Sequence, residues 1–284
     1  MTDTEKVRYS NKAILVFLIF TVLASAVVEL AVMNGGPDWL WLVLMWIPAA
    51  AAIAAAIVST AANREKAGMK GFLGMLGIRR CKVSYVLLGI LIPLVYLLVP
   101  YLIYWRLYPE HFAYAGVAFA VVVKDILPPL FFGIFLGVVS AIGEEIGWRG
   151  FLFPALLKRT TLIKALLVTG LIWAGWHVPV LAAGAYMAEA PLWYRLPAFV
   201  LCVLPIGIIA GLLTYKSNSI WPASLLHAAH NNYDQAVFGV ITGGDKRMLY
   251  VSETGVLTIL CAWVLALVLF KCLAKKTSLR KRKD

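Results

Sequence analysis

Charge is what this chain has least of. Asp, Glu, Lys and Arg make up 14% of its 284 residues, against 62% hydrophobic residues. With a mean hydropathy of +0.86 and several apolar runs longer than the about 20 residues that carry a helix across a bilayer, the composition points to a polytopic membrane protein. Cysteine is equally sparse. Cys81, Cys202, Cys261 and Cys272 stand far apart or near a terminus with no C-x-x-C spacing, which excludes a redox or zinc motif of that kind and gives no disulfide framework. The H-E-x-x-H pattern of helical zinc sites is absent, as are internal repeats and low-complexity linkers. One integral-membrane domain over residues 1–284, with a polar core at 131–241, is the expected organisation.

Apolar helical runs fall at 13–33, 38–62, 83–106, 131–157, 163–183, 196–214, 219–241 and 254–273, an all-α bundle of about eight spans. The stretch 113–130 is apolar but carries Lys124, Asp125 and a Pro-Pro, and reads either as an interfacial helix or as the upper part of span four. The N-terminal Lys6 to Lys12 followed by an apolar run with "ASA" at Ala24 to Ala26 resembles a signal peptide, yet the run continues through Val32, so a retained first span is expected.

The net charge of +12 does not indicate nucleic acid, because the basic residues gather in the loops of one side. With the N-terminus inside, that side holds Lys6, Arg8 and Lys12, then Arg64, Lys66, Lys70, Arg79, Arg80 and Lys82, then Lys158, Arg159, Lys164 and Lys216. It also holds the tail from Lys271 to Lys283, whereas the other side has only Arg106, Lys124, Arg195, Lys246 and Arg247. Both termini are therefore expected in the cytoplasm, with anionic lipids as partners of the basic loops. Trp39, Trp41, Tyr104, Trp105, Trp193 and Tyr194 fall at the opposite ends of the spans, where an aromatic belt would place them.

Against this background "AIGEEIGWRG", Ala141 to Gly150, needs a reason. One ionisable side chain at the centre of a spanning helix costs about 3 kcal/mol on insertion scales. Glu145 and Arg149, four residues apart, share a helical face and can neutralise each other, which leaves Glu144 without a partner in its own helix. In "LIWAGWHVPV", His177 sits before Pro179, which should kink or end the helix. In "LLHAAHNN", His227 and Asn231 share a face that His230 does not. His230 reads as a hydrogen-bonded interhelical contact, His111 as a loop residue, and Trp148, Trp173 and Trp176 as packing.

A free carboxylate, a carboxylate locked to arginine, two histidines and an asparagine suit hydrolysis. Glu144, helped by His177, would take a proton from water as it attacks a peptide carbonyl, and His227 with Asn231 would donate to the oxyanion. Glu145 and Arg149 would support them structurally. Alternatively Glu144, His177 and His227 could hold Zn with one open position. Two other classes compete: a proton-coupled transporter, which would favour repeated polar motifs, and a non-catalytic scaffold or bacteriocin immunity protein, which would tolerate loss of Glu144.

These motifs resemble those of the CAAX protease and bacteriocin-processing family of intramembrane endopeptidases, which includes the type II CAAX prenyl endopeptidases. Its E-E-x-x-x-R motif is matched by Glu144, Glu145 and Arg149, and its H-x-x-x-N motif by His227 and Asn231. Its F-x-x-x-H motif is matched at His177, with Trp173 in place of phenylalanine, a change expected to touch only local packing. The resemblance implies the same roles for Glu144, His177, His227 and Asn231. It also implies a membrane-associated protein or peptide substrate, with prenylated C-a-a-X proteins among those its members cut.

Overall fold

The computed structural model describes residues 9–62 and 68–280, by backbone alone at 62 and 273–280. Lys6, Arg8, Arg64, Lys66, Lys281, Arg282 and Lys283 of the charge count lie outside the described residues. The helices in chain order are α1 (Asn11–Met33), α2 (Trp39–Ala62), α3 (Met69–Met75), α4 (Val83–Leu107) and α5 (Phe119–Glu145). A first π-helical segment, Ile146–Leu152, leads into α6 (Phe153–Leu157), followed by α7 (Leu162–Trp176), α8 (Val178–Ala182) and α9 (Leu192–Ser217). Then come α10 (Trp221–Asn231), a second π-helical segment Asn232–Phe238, α11 (Arg247–Tyr250) and α12 (Val256–Arg280).

Local chemistry sets several of these limits. The Ser10 hydroxyl accepts from the Ala13 amide at 3.0 Å and caps α1, and Thr161 caps α7 in the same way. Asn218, with φ of 55°, turns the chain out of α9 in the left-handed conformation that asparagine tolerates. Residues from Phe119 onward run without a break into Glu145, so 119–130 of the ambiguous apolar stretch are the upper part of span four, while 113–118 precede the helix, with turns at 113–116. Five helical stretches, 11–33, 39–61, 83–107, 119–157 and 192–217, are long and apolar enough to cross a membrane, and 162–176 and 256–272 are shorter apolar helices.

Two expected spans are not single α-helices. The run at 163–183 stops at Trp176, with Pro179 in the first turn of the short α8, as a proline that cannot continue a hydrogen-bond ladder dictates. The run at 219–241 changes from α to π after Asn231.

Helix α10 lies at the centre, packed on α4, α5 and α9, while α9 also packs on α7 and α12, and α2 joins α1 to α5. The α2–α5 contact depends on small residues. A Cβ on Gly143 would sit 2.7 Å from the Met45 carbonyl oxygen, and one on Gly147 would meet Pro48, so both positions need glycine for the backbones to approach. This close crossing brings α2 against the segment that carries the paired glutamates. The aromatic belt is only half present. Trp39 and Trp193 are largely exposed, but Tyr104 is fully buried and Trp105 donates to the Thr242 hydroxyl at 2.9 Å. A polar tip that finds a protein partner has no need of the interface.

Candidate active site

The two glutamates close α5, and the π-helical segment begins on the next residue. Glu144 is buried, and its Oε2 accepts from the Trp173 indole at 2.7 Å and from the Trp148 indole at 3.3 Å. Glu144 thus has a partner in its own helical run after all, Trp148, and Trp148 and Trp173 hold a carboxylate rather than merely pack. Trp173 in place of phenylalanine does more than fill space, because a phenyl ring has no N–H to donate. Trp176 behaves differently, with its indole donating to the Ser25 hydroxyl of α1 at 2.7 Å.

Glu145 is the hub of the second set. Its Oε1 accepts from Arg149 Nη1 at 2.7 Å and from His227 Nδ1 at 3.0 Å, with Arg149 1% and Glu145 0% exposed. The expected ion pair is present, and it also reaches across to α10. Arg149 lies with its guanidinium carbon 4.2 Å from the centroid of the Trp173 ring, a cation–π contact that helps to keep a buried charge. One indole therefore touches both carboxylate systems, through its N–H edge and its face.

His177 follows the last residue of α7, and its Nδ1 lies 2.9 Å from the Trp173 carbonyl oxygen. A carbonyl only accepts, so Nδ1 carries the proton and Nε2 is left for the cavity. His227 is tied in the same sense by the Glu145 carboxylate. The Trp173 ring stands 5.9 Å from His177 and 5.4 Å from His227, edge-on to both. One side chain thus lies between the two histidines.

Glu144, His177, His227 and Asn231 all line a cavity of about 400 Å³. Asn231 makes no side-chain hydrogen bond among the described residues and is free to meet a ligand. His230 is an interhelical contact as expected, with Nδ1 3.1 Å from the Tyr96 hydroxyl and Nε2 2.9 Å from Glu253 Oε1. His111 stacks on Tyr104, whose hydroxyl is 2.8 Å from its Nδ1.

Sequence reasoning did not single out Glu29, Tyr186, Gln235 or Glu253, which line the same cavity. Tyr186 donates to Glu253, and Gln235 donates to the Tyr186 hydroxyl at 2.9 Å. The available signal was an acid within each of two apolar surroundings, "SAVVELAV" and "YVSETGVL". Among the described residues no three His, Cys, Asp or Glu side chains come together so as to hold a metal ion. One Glu144 oxygen already accepts from two indoles.

Residues 126–233 match the family profile of the Rce1-like type II CAAX prenyl endopeptidases. The chain is also 34% identical over 146 residues to a protein of Methanococcus maripaludis described as CAAX prenyl protease 2. That alignment covers 50% of this chain and 50% of the relative, so the chain spans about half the length of the curated relative it matches. The profile match spans the paired glutamates, His177, His227 and Asn231.

Proposed function

We propose that the chain, which matches the Rce1-like profile over residues 126–233 and a CAAX prenyl protease over half of its length, is an intramembrane endopeptidase of that family. It cuts a membrane-associated protein or peptide, in the family's case a prenylated one. The observation that carries this reading is the division of labour between the two glutamates. Glu145 takes Arg149 and His227 on Oε1, has no partner on its buried Oε2 and does not line the cavity, whereas Glu144 is held through Oε2 alone and lines the cavity with Oε1 unpartnered.

Water placed between Glu144 Oε1 and His177 Nε2 loses a proton to Glu144 as its oxygen attacks the peptide carbonyl. His177 orients that water, since its own Nδ1–H is committed to the Trp173 carbonyl. The carbonyl oxygen gains negative charge in this step and needs donors. Asn231 offers its amide N–H, and His227 offers Nε2–H in its imidazolium form. Two carboxylates, one guanidinium and one imidazolium make Glu144, Glu145, Arg149 and His227 neutral as a set, which suits a site out of water. Glu144 then returns the proton to the leaving amine. One base positioned in this way contributes about 10²–10⁴ in rate, and one oxyanion donor about 10²–10³. No step uses a metal.

On the same reading the chain is one multi-pass domain of about eight spans with both termini in the cytoplasm, its basic loops against anionic lipid. The test compares peptide termini by mass spectrometry in membranes carrying the natural chain or Glu144→Gln at equal levels, each with and without a chelator. New termini that need Glu144 and survive the chelator are expected. Equal termini in both membranes would sink the peptidase, and loss of cleavage with the chelator alone would bring the zinc set back.

A further inference from the structure

Three carboxylates line the cavity, Glu29, Glu144 and Glu253, and no Lys or Arg is among the described residues that line it. Two of the three have protein donors. Glu144 has its indole donors, and Glu253 has His230 and Tyr186. Glu29 has nothing. It is 4% exposed and makes no hydrogen bond or ion pair among the described residues, although a carboxyl group in a spanning helix needs a partner.

Its placement is not accidental to packing. Ala13, Phe17, Thr21, Ser25 and Glu29 form the buried stripe of α1, spaced by four residues. Ser25 accepts from Trp176, whose ring centroid is 4.9 Å from that of His177. Glu29 lies one turn further along the same face, about 6 Å from Ser25 by helix rise, and lines the cavity with Glu144 and His177. Trp41, Trp176 and Tyr186 line the same cavity, with the Trp41 and Tyr186 rings 6.3 Å apart. An unpaired acid among aromatic faces is a setting for a cation.

We propose that the α1–α2 end of the cavity is a subsite for a Lys or Arg side chain of the peptide, near the bond that is cut, with Glu29 as its counter-ion. This rests on the peptidase reading and adds a specificity to it. Among membrane-associated peptides the enzyme selects those with a basic residue close to the scissile bond.

The first arm measures binding without catalysis. The chain in lipid nanodiscs is titrated with octylguanidinium and with octylurea, which share a tail and differ in charge, and empty nanodiscs give the correction for partition. Wild type is expected to bind the guanidinium about tenfold more tightly than the urea, and Glu29→Gln to bind the two alike. Equal binding by wild type, or a preference that survives Glu29→Gln, overturns the subsite. Should Glu29→Gln not fold, Trp41→Leu reads the same preference, and a preference untouched by it counts against the proposal.

The second arm measures cleavage of lipid-anchored peptides that differ only in arginine against citrulline. Glu144-dependent cutting with no arginine preference removes the subsite and leaves the peptidase standing. A Glu29-dependent guanidinium preference with no Glu144-dependent cutting removes the peptidase and leaves a cation site.

Discussion

Trp173 shows how much one side chain does here. Its indole N–H holds Glu144, its face covers Arg149, its carbonyl fixes the His177 tautomer, and its ring edge borders His227. Trp173→Phe keeps the ring and the backbone but removes the 2.7 Å hydrogen bond to the carboxylate. A bond to a charged group is worth about 1.5–3 kcal/mol. If it holds Glu144 in the attacking geometry, kcat falls about tenfold or more while KM stays near its wild-type value. Steady-state kinetics on any peptide the enzyme cuts would decide. A change confined to KM would make Trp173 a packing residue, as the sequence alone had it.

At the scale of elements, both π-helical segments adjoin the residues argued to do the chemistry, one straight after Glu145 and one straight after Asn231. Such segments recur at functional sites because the wider turn re-aims side chains. Helical periodicity in the sequence does not reveal them, since what favours the extra residue per turn is tertiary contact. The α2–α5 crossing is the element-level feature most open to test. Gly147→Ala drives a methyl into the Pro48 ring and backbone, and overpacking of this kind costs about 1–3 kcal/mol. The expected result is a lower unfolding temperature in detergent, with cleavage reduced because the glutamate segment shifts. An unchanged unfolding temperature would mean that α2 gives way freely.

For the whole molecule, the orientation proposed from loop charge can be read with the natural thiols. All four cysteines are free, Cys272 is exposed, Cys81 is partly exposed and Cys202 is buried. A membrane-impermeant maleimide should label Cys272, and Cys81 more slowly, in inverted vesicles and spare both in intact cells. Labelling of Cys272 from outside the cell would reverse the orientation, and labelling of the two from opposite sides would change the number of spans between them.

The sequence by itself determined that the chain is helical and lies in the membrane, because long apolar runs with few charges have no other stable form in lipid. It also isolated Glu144, Glu145, Arg149, His177, His227 and Asn231, because ionisable and amide side chains are costly in such runs and stand out. Pro179 marked a helix end for the equally local reason that proline lacks an N–H. Only the tertiary structure decided which carboxylate each donor meets. That Trp148 and Trp173 donate to Glu144, that Glu145 serves Arg149 and His227 together, and that Glu29 and Glu253 share their cavity all depend on helix rotation and crossing. Those are set by side-chain packing between segments far apart in the chain, which periodicity along one helix does not encode.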